Sequence, residues 1–531
     1  RTLFLVGDPM QSIYRFRKAE VSLFIQAFEG RLFEPLRMQP LRLSVNFRST
    51  APVVNWVNSV FPAIMPEESD SVTGAVSYSP SETAPGAAAS GSVELDFSAV
   101  RDDLQEAMSV ADIIRQRAPD ETIAVLLRTR PQARQIVRLL DRLKQDDPRF
   151  RYRAIDFNPL GETPLVRDLV SLTTAILQPA DRLSWLALLR APFVGLELAD
   201  LDRLAGGRDA PTVIDALAAW RNGDGPVLGS DGEARLQRAA PVLIETAALR
   251  GRRSLRDLVE SAWLRLGGPA CVQNRSELTD AARFFELVET LEEEGTPVDR
   301  DSLGQRLADL YAEPDAEADG RVQLMTIYAD KGLQFDTVVL PPLNGRTRGS
   351  DTRLLYWFEL ADEDQVVMCP MRDEGEKRER GGLVAYIGDV EARRQAMETG
   401  RLLYVAATRA VSRLHLFAAV PPDAHGNVRP GGNTLATVLW PGVGAEQTPL
   451  ILQQAESSEA AENDAAEEQL PQVYRRLAAD WSLPMPPKRL DLPGTPVGDV
   501  SPYVEFRWAG EAARLTGNLV HRLLQDMAER G

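Results

Sequence analysis

Ile123-Ala124-Val125-Leu126-Leu127 is an unbroken apolar run of five residues. A run this short and uniform suits a strand buried on both faces, the signature of a parallel sheet with helices on each side. Further β signals follow at Val322-Gln323-Leu324-Met325-Thr326-Ile327, at Thr337-Val338-Val339-Leu340 and at Leu414-His415-Leu416-Phe417. Helical patterns lie between them. One is amphipathic from Gln132 to Lys144, behind a Pro131 that suits a first helical turn, and another spans about 387–411. From about 160 to 312 the apolar spacings are three and four, as in Leu183, Leu186 and Leu189. The economical fold is α/β: a parallel sheet interrupted by a large helical insertion.

The flanks are less regular. Thr2-Leu3-Phe4-Leu5-Val6 reads as a short buried strand, 19–29 as a helix and Leu41-Arg42-Leu43-Ser44-Val45 as a second strand, with a helix beginning near Pro52. Residues 65–92 are rich in Ser, Pro, Gly and Ala, which predicts a loop. Pro/Gly-rich stretches after 420 and an acidic Ala/Glu run at 453–469 predict a flexible linker, and 509–531 reads as helical. A chain of 531 residues, 44% hydrophobic, can bury more than one core. Two cysteines (Cys271 and Cys369), no membrane-length apolar run and no signal peptide predict a cytoplasmic protein, and three histidines argue against histidine-based metal chemistry. The formal net charge of −17 excludes a uniformly basic nucleic-acid binder. Binding needs only a local patch, however, and residues 1–50 carry eight Lys/Arg against four acids, whereas 451–470 carry six acids and no base.

That basic patch includes Gly7-Asp8-Pro9-Met10-Gln11-Ser12-Ile13-Tyr14-Arg15-Phe16-Arg17-Lys18-Ala19. A glutamine just past a strand can orient a water or sense a γ-phosphate, or be a polar loop residue. Tyr14 and Phe16, interleaved with cations, suit a base-stacking platform or a pair of core aromatics. Three more stretches matter: Asn46-Phe47-Arg48-Ser49-Thr50, the Lys331-Gly332 turn within 326–341, and Thr408-Arg409 at the end of "RLLYVAATRA". Singly, each arginine reads as a solvated charge.

In this order the four stretches resemble motifs III, IV, V and VI of superfamily 1 DNA helicases of the UvrD type, nearest the AddA-like or RecB-like helicase–nucleases of double-strand break repair. The resemblance covers residues 1–60 and about 120–420. It implies a RecA-like fold of the P-loop NTPase class and the use of ATP with Mg²⁺. It also implies 3′-to-5′ movement on single-stranded DNA, action on duplex DNA and, as partner, a second helicase or nuclease subunit. Carried over residue by residue, it places Gln11, Arg48 and Arg409 in catalysis, with Phe47, Arg48, Gly332, Gln334 and Arg409 at the nucleotide. It places Tyr14, Phe16, Arg17, Thr326, Tyr328 and Lys331 at DNA. Two positions depart from the family pattern: Tyr328 stands where histidine is common, and Gln334 where glutamate is common.

The resemblance also divides the chain. Residues 1–38 would end a first RecA-like domain; 39–158 and 321–422 would form the second, around a helical accessory insertion at 159–320. Residues 423–500 would be linker. Residues 501–531 would open a RecB-like nuclease domain, with His521, four residues after Gly517, as a candidate metal ligand of an exonuclease. No GxxxxGK[ST] stretch and no strand-ending Asp-Glu pair occurs; in the family these lie upstream, so the expectation is a fragment that does not hydrolyse ATP alone. The rival expectation is a catalytically inactive, helicase-shaped scaffold that binds DNA and a partner.

Overall fold

The computed structural model describes residues 3–15, 20–30, 32, 39–71, 73–154, 158–206, 212–329, 332–345, 355–360, 365–370, 383–459, 476–484, 516–517 and 519–523. The chain divides into two compact units, Arg1–Phe157 with Glu317–Glu468, and Asn158–Ala316 with Gln469–Gly531.

The first unit is built on a six-stranded sheet. Across the sheet the order is Ser92–Ser98, Ala410–Ala419, Phe335–Leu340, Ile123–Leu127, Val322–Thr326 and Arg153–Ala154, and every pair is parallel. Ile123–Leu127 lies inside the sheet, with Ile123 opposite both Val322 and Thr337. Successive side chains of that strand serve opposite cores. Ile123, Val125 and Leu127 pack with Val110, Ile114, Ile136 and Leu140, from helices Asp103–Arg115 and Arg134–Leu143. Ala124 and Leu126 share the other core with Val53, Val57, Leu403 and Ala406, from helices Ala51–Val60 and Leu383–Ala407. The apolar run at 123–127 is uniform because both of its faces are covered.

Gly91 shows how closely this sheet is assembled. Its φ is +155°, and a Cβ there would stand 2.5 Å from the Ser412 carbonyl oxygen and 2.5 Å from Thr50 Oγ1. Gly91→Ala is therefore expected to cost about 2 kcal/mol or more, since the Ser412 backbone and the Thr50 side chain must both shift and the φ disfavours an L side chain. Denaturant unfolding checks this, and an unchanged midpoint would contradict the close approach.

The second unit is helical. Thr163, Asp181, Thr212, Ser254, Asn274 and Asp299 each accept an amide hydrogen from the first turn of the helix they precede, satisfying donors that otherwise have no partner. Its core gathers Leu169, Leu172, Ile176, Trp185, Leu188, Phe284 and Phe285.

Three expectations are corrected. Residues 3–6 form no strand: Leu3, Phe4, Leu5 and Val6 are exposed, and among the described residues no strand runs beside them. A single strand without a lateral partner leaves its backbone donors and acceptors to water. Of the expected strand at 41–45, only Val45 is in a strand: Val45–Asn46 pairs with Glu82–Thr83, and Leu41 and Leu43 are exposed. The expected linker at 423–500 is folded in part. Leu435–Glu459 is a helix that contributes Leu435, Ala436, Leu439, Val443 and Ile451 to the sheet's core, despite Pro441 and Pro449 inside it. Leu477 is also buried, and its amide donates to the Pro192 carbonyl within the second unit. A hairpin, Leu355–Leu360 with Gln365–Pro370, was not legible in the sequence. Among the described residues no helix is long and apolar enough to cross a membrane.

Candidate functional site

The opening turn is organised by Asp8. Its Oδ1 accepts the Met10 amide at 3.0 Å and closes a short 3₁₀ turn, Pro9–Gln11. Its Oδ2 accepts Gln11 Nε2 at 2.6 Å. With the Gln11 amide nitrogen engaged, its oxygen is left to accept from Arg409 Nη2 at 2.7 Å. Asp8 thus sets which way the glutamine points.

Arg409 follows helix Leu383–Ala407 and precedes strand Ala410–Ala419. It is 1% exposed. Its Nη1 donates to the Leu333 carbonyl at 3.1 Å and its Nε to the Val405 carbonyl at 3.2 Å, while its own carbonyl accepts the Phe335 amide at 3.1 Å. Helix end, strand start and the loop before Phe335–Leu340 therefore fix it together.

Arg48 comes from another part of the chain to the same edge. Asn46 Oδ1 accepts the amides of Arg48 and Ser49, Ser49 Oγ donates to the Ala410 carbonyl at 2.7 Å, and the Thr50 amide donates to the Val411 carbonyl at 2.8 Å. Pinned in this way, Arg48 sends Nη1 to the Thr408 carbonyl at 3.0 Å and Nε to Gln334 Oε1 at 3.3 Å. Phe47 beside it is 83% exposed. Tyr404 sits among these groups. Burial holds its phenol well above the usual range, Asp8 and Tyr78 push it further up, and Arg409 and Arg48 push it back. Gln11, Arg48, Gln334 and Arg409 thus gather at the amino-terminal ends of strands Phe335–Leu340 and Ala410–Ala419.

Of the residues expected at DNA, Tyr14, Thr326 and Tyr328 are described. Thr326 ends its strand, and the Ala329 amide turns back to its carbonyl at 2.8 Å. Tyr14 Oη donates to the Tyr328 carbonyl at 2.7 Å. Burial raises the Tyr328 phenol, with Glu398 acting in the same direction. Gly332 has φ +95°, a left-handed conformation that favours glycine in this turn. Phe16, Arg17 and Lys331 lie outside the described residues. His521 is exposed on a helical stretch, and among the described residues no group of three or more His, Cys, Asp or Glu could hold a metal.

Sequence reasoning missed Asp8, Tyr404, Glu398 and Arg401. Glu398 and Arg401 are buried although Glu391, Arg394 and Gln395 share their face of the helix, so nothing in the sequence set them apart from a solvated charged face.

Chemically, the edge offers two guanidinium forks, a glutamine amide held in one orientation and an exposed aromatic ring. That donor set suits an oxyanion with several oxygens, such as a terminal phosphate, next to a flat base. Residues 41–217 and 252–420 match the UvrD-like helicase C-terminal domain. The chain belongs to the UvrD-like helicases. Residues 1–30 match the UvrD/REP helicase N-terminal domain. Its six-stranded parallel sheet is the RecA-like arrangement of this helicase family, and parts of the helical unit, up to 217 and from 252, fall inside the match. Among curated proteins, this UvrD-like helicase chain is similar to an ATP-dependent helicase/nuclease subunit of Listeria innocua, 26% identical over 79% of this chain and 37% of that protein. The same-named proteins of Lactobacillus helveticus (26%) and Geobacillus kaustophilus (25%) cover the same shares. The chain spans little more than a third of the length of these relatives.

Proposed function

We propose that this chain is the nucleotide-sensing and DNA-gripping part of an ATP-dependent DNA helicase of double-strand break repair, moving 3′-to-5′ on single-stranded DNA. The observation that supports it most is the meeting of Arg409, Gln11 and Arg48 at one sheet edge, although 398 residues separate the first two. Bound ATP with Mg²⁺ would supply a terminal phosphate whose charge grows as it is transferred. The chain's own residues would do the rest. Arg409 and Arg48 would hold that charge with planar forks, and Gln11, steered by Asp8, would register whether it is present. Phe47 would cover the base, and Gln334 would offer an uncharged side chain to the sugar. Tyr14, Phe16, Arg17, Thr326, Tyr328 and Lys331 would contact single-stranded DNA, and Gly332 would shape the loop between the two surfaces. The groups that cradle the remaining phosphates would come from other parts of the full-length protein. A partner subunit, duplex DNA and a nuclease domain carrying His521 belong to the same proposal, by analogy with the helicase/nuclease relatives.

The test is Phe16→Ala in the full-length protein. Loss of one stacking platform is expected to weaken single-strand binding by about 1–3 kcal/mol, seen as a roughly five- to 150-fold rise in Kd by fluorescence anisotropy, with ATP consumed per base pair unwound rising as well. Normal unwinding at limiting DNA would make Phe16 a core aromatic instead. A wild-type protein that binds DNA without any ATP turnover would favour the scaffold reading.

A further inference from the structure

Helix Leu383–Ala407 turns two charged side chains inward, Glu398 and Arg401, each 4% exposed. Burying charge is costly unless it is paired and hydrogen-bonded, so the contacts these two make matter. Arg401 donates from Nε to the Ser12 carbonyl at 2.7 Å and from Nη1 to the Gly74 carbonyl at 2.6 Å. Glu398 accepts the Arg15 amide at 3.1 Å, and the Arg15 guanidinium pairs with Glu391 of the same helix at 2.5 Å. Between these two grips Ile13 is fully buried and Tyr14 is tied to the Tyr328 carbonyl. One helix therefore holds both ends of Ser12–Arg15, the four residues that follow Gln11, and the same helix leads into Arg409. Burial is the leading electrostatic effect on both groups. Burial pulls Arg401 down to about 10 while Glu398 acts the other way, and burial raises Glu398 while the Arg15 amide, Arg401, Arg15 and Arg128 oppose it.

We propose that Glu398 and Arg401 are positioning residues of the motor: they clasp Ser12–Arg15 to helix Leu383–Ala407, so that a displacement at Gln11 and Arg409 is delivered to Tyr14 and the residues beyond it. This rests on the functional reading above. Neither side chain needs to touch nucleotide or base. A segment gripped at both ends by one stiff helix moves with it as a unit, whereas a free loop of four residues would absorb the movement.

The experiment uses the full-length protein with Glu398→Gln, Arg401→Lys and both together. With single-stranded DNA saturating, kcat for ATP is expected to fall about tenfold to a hundredfold, with KM for ATP within twofold of the original. The double variant should be no worse than the weaker single one, because both act through one segment. Amide exchange at Ser12–Arg15 should accelerate in each variant. Wild-type kcat and exchange in both single variants would overturn the proposal, as would a rise in KM with kcat unchanged. If Arg401→Lys does not fold, the isosteric Glu398→Gln decides alone. If the unaltered protein shows no DNA-stimulated turnover, the functional reading fails, and the exchange rates still decide whether the clasp exists.

Discussion

Replacing Arg409 with lysine in the full-length protein is expected to lower ATP turnover by about 10³-fold, with single-strand affinity close to normal. Arg409 spreads three nitrogen donors over three elements: Gln11 Oε1, the Leu333 carbonyl and the Val405 carbonyl. A lysine ammonium is one compact charge on a flexible stem and cannot hold that planar fork. Gln11 would lose the partner that fixes its oxygen, so charge stabilisation and nucleotide sensing would fail together. Tyr14 and Tyr328, proposed to contact DNA, would keep their contacts, which is why binding should survive. Arg48→Lys is expected to act in the same direction, because its fork also joins two places, the Thr408 carbonyl and Gln334. Steady-state hydrolysis beside anisotropy measurements checks both. Turnover above a tenth of the original in Arg409→Lys would remove Arg409 from the chemistry.

Trp185→Ala should be the most damaging change in the helical unit, at about 3–5 kcal/mol. Trp185 is fully buried among Leu169, Leu172, Leu188 and their neighbours, so truncation leaves a cavity the size of an indole. Its Nε1 is buried with no hydrogen-bond partner among the described residues. Trp185→Phe should therefore cost much less, since it keeps most of the apolar volume and removes a donor that gains nothing from burial. Denaturant unfolding of the chain, followed by circular dichroism, measures both. Equal losses for the two substitutions would show that packing is not what holds this position.

The sheet was legible wherever its strands are covered on both faces. Ile123–Leu127 is continuous apolar sequence because helices lie above and below it, and the strands at 322–326, 335–340 and 410–419 were found through the same signal. The helical unit was legible through its apolar spacing. Where neighbours decide, sequence reading failed. Leu3-Phe4-Leu5-Val6 has strand-like composition, but composition cannot supply a lateral partner. Leu435–Glu459 looked broken by two prolines, yet burial of one face against the sheet outweighs the lost hydrogen bonds. At the candidate site, Gln11, Arg48 and Arg409 stood out by their place in recognisable motifs. Asp8, Glu398 and Arg401 did not, because charged residues in a turn or helix read as solvated until their contacts are seen.

The central claim is that Arg48 and Arg409 serve one terminal phosphate, with Gln11 between that phosphate and the DNA surface. A structure of the full-length protein bound to single-stranded DNA and ADP–aluminium fluoride tests it most directly. Both guanidinium groups should lie about 3 Å from the fluoride atoms, with Gln11 still bonded to Asp8 and turned toward the same group. Either arginine pointing away from the fluoride, or a nucleotide held at another face of the sheet, would contradict the account.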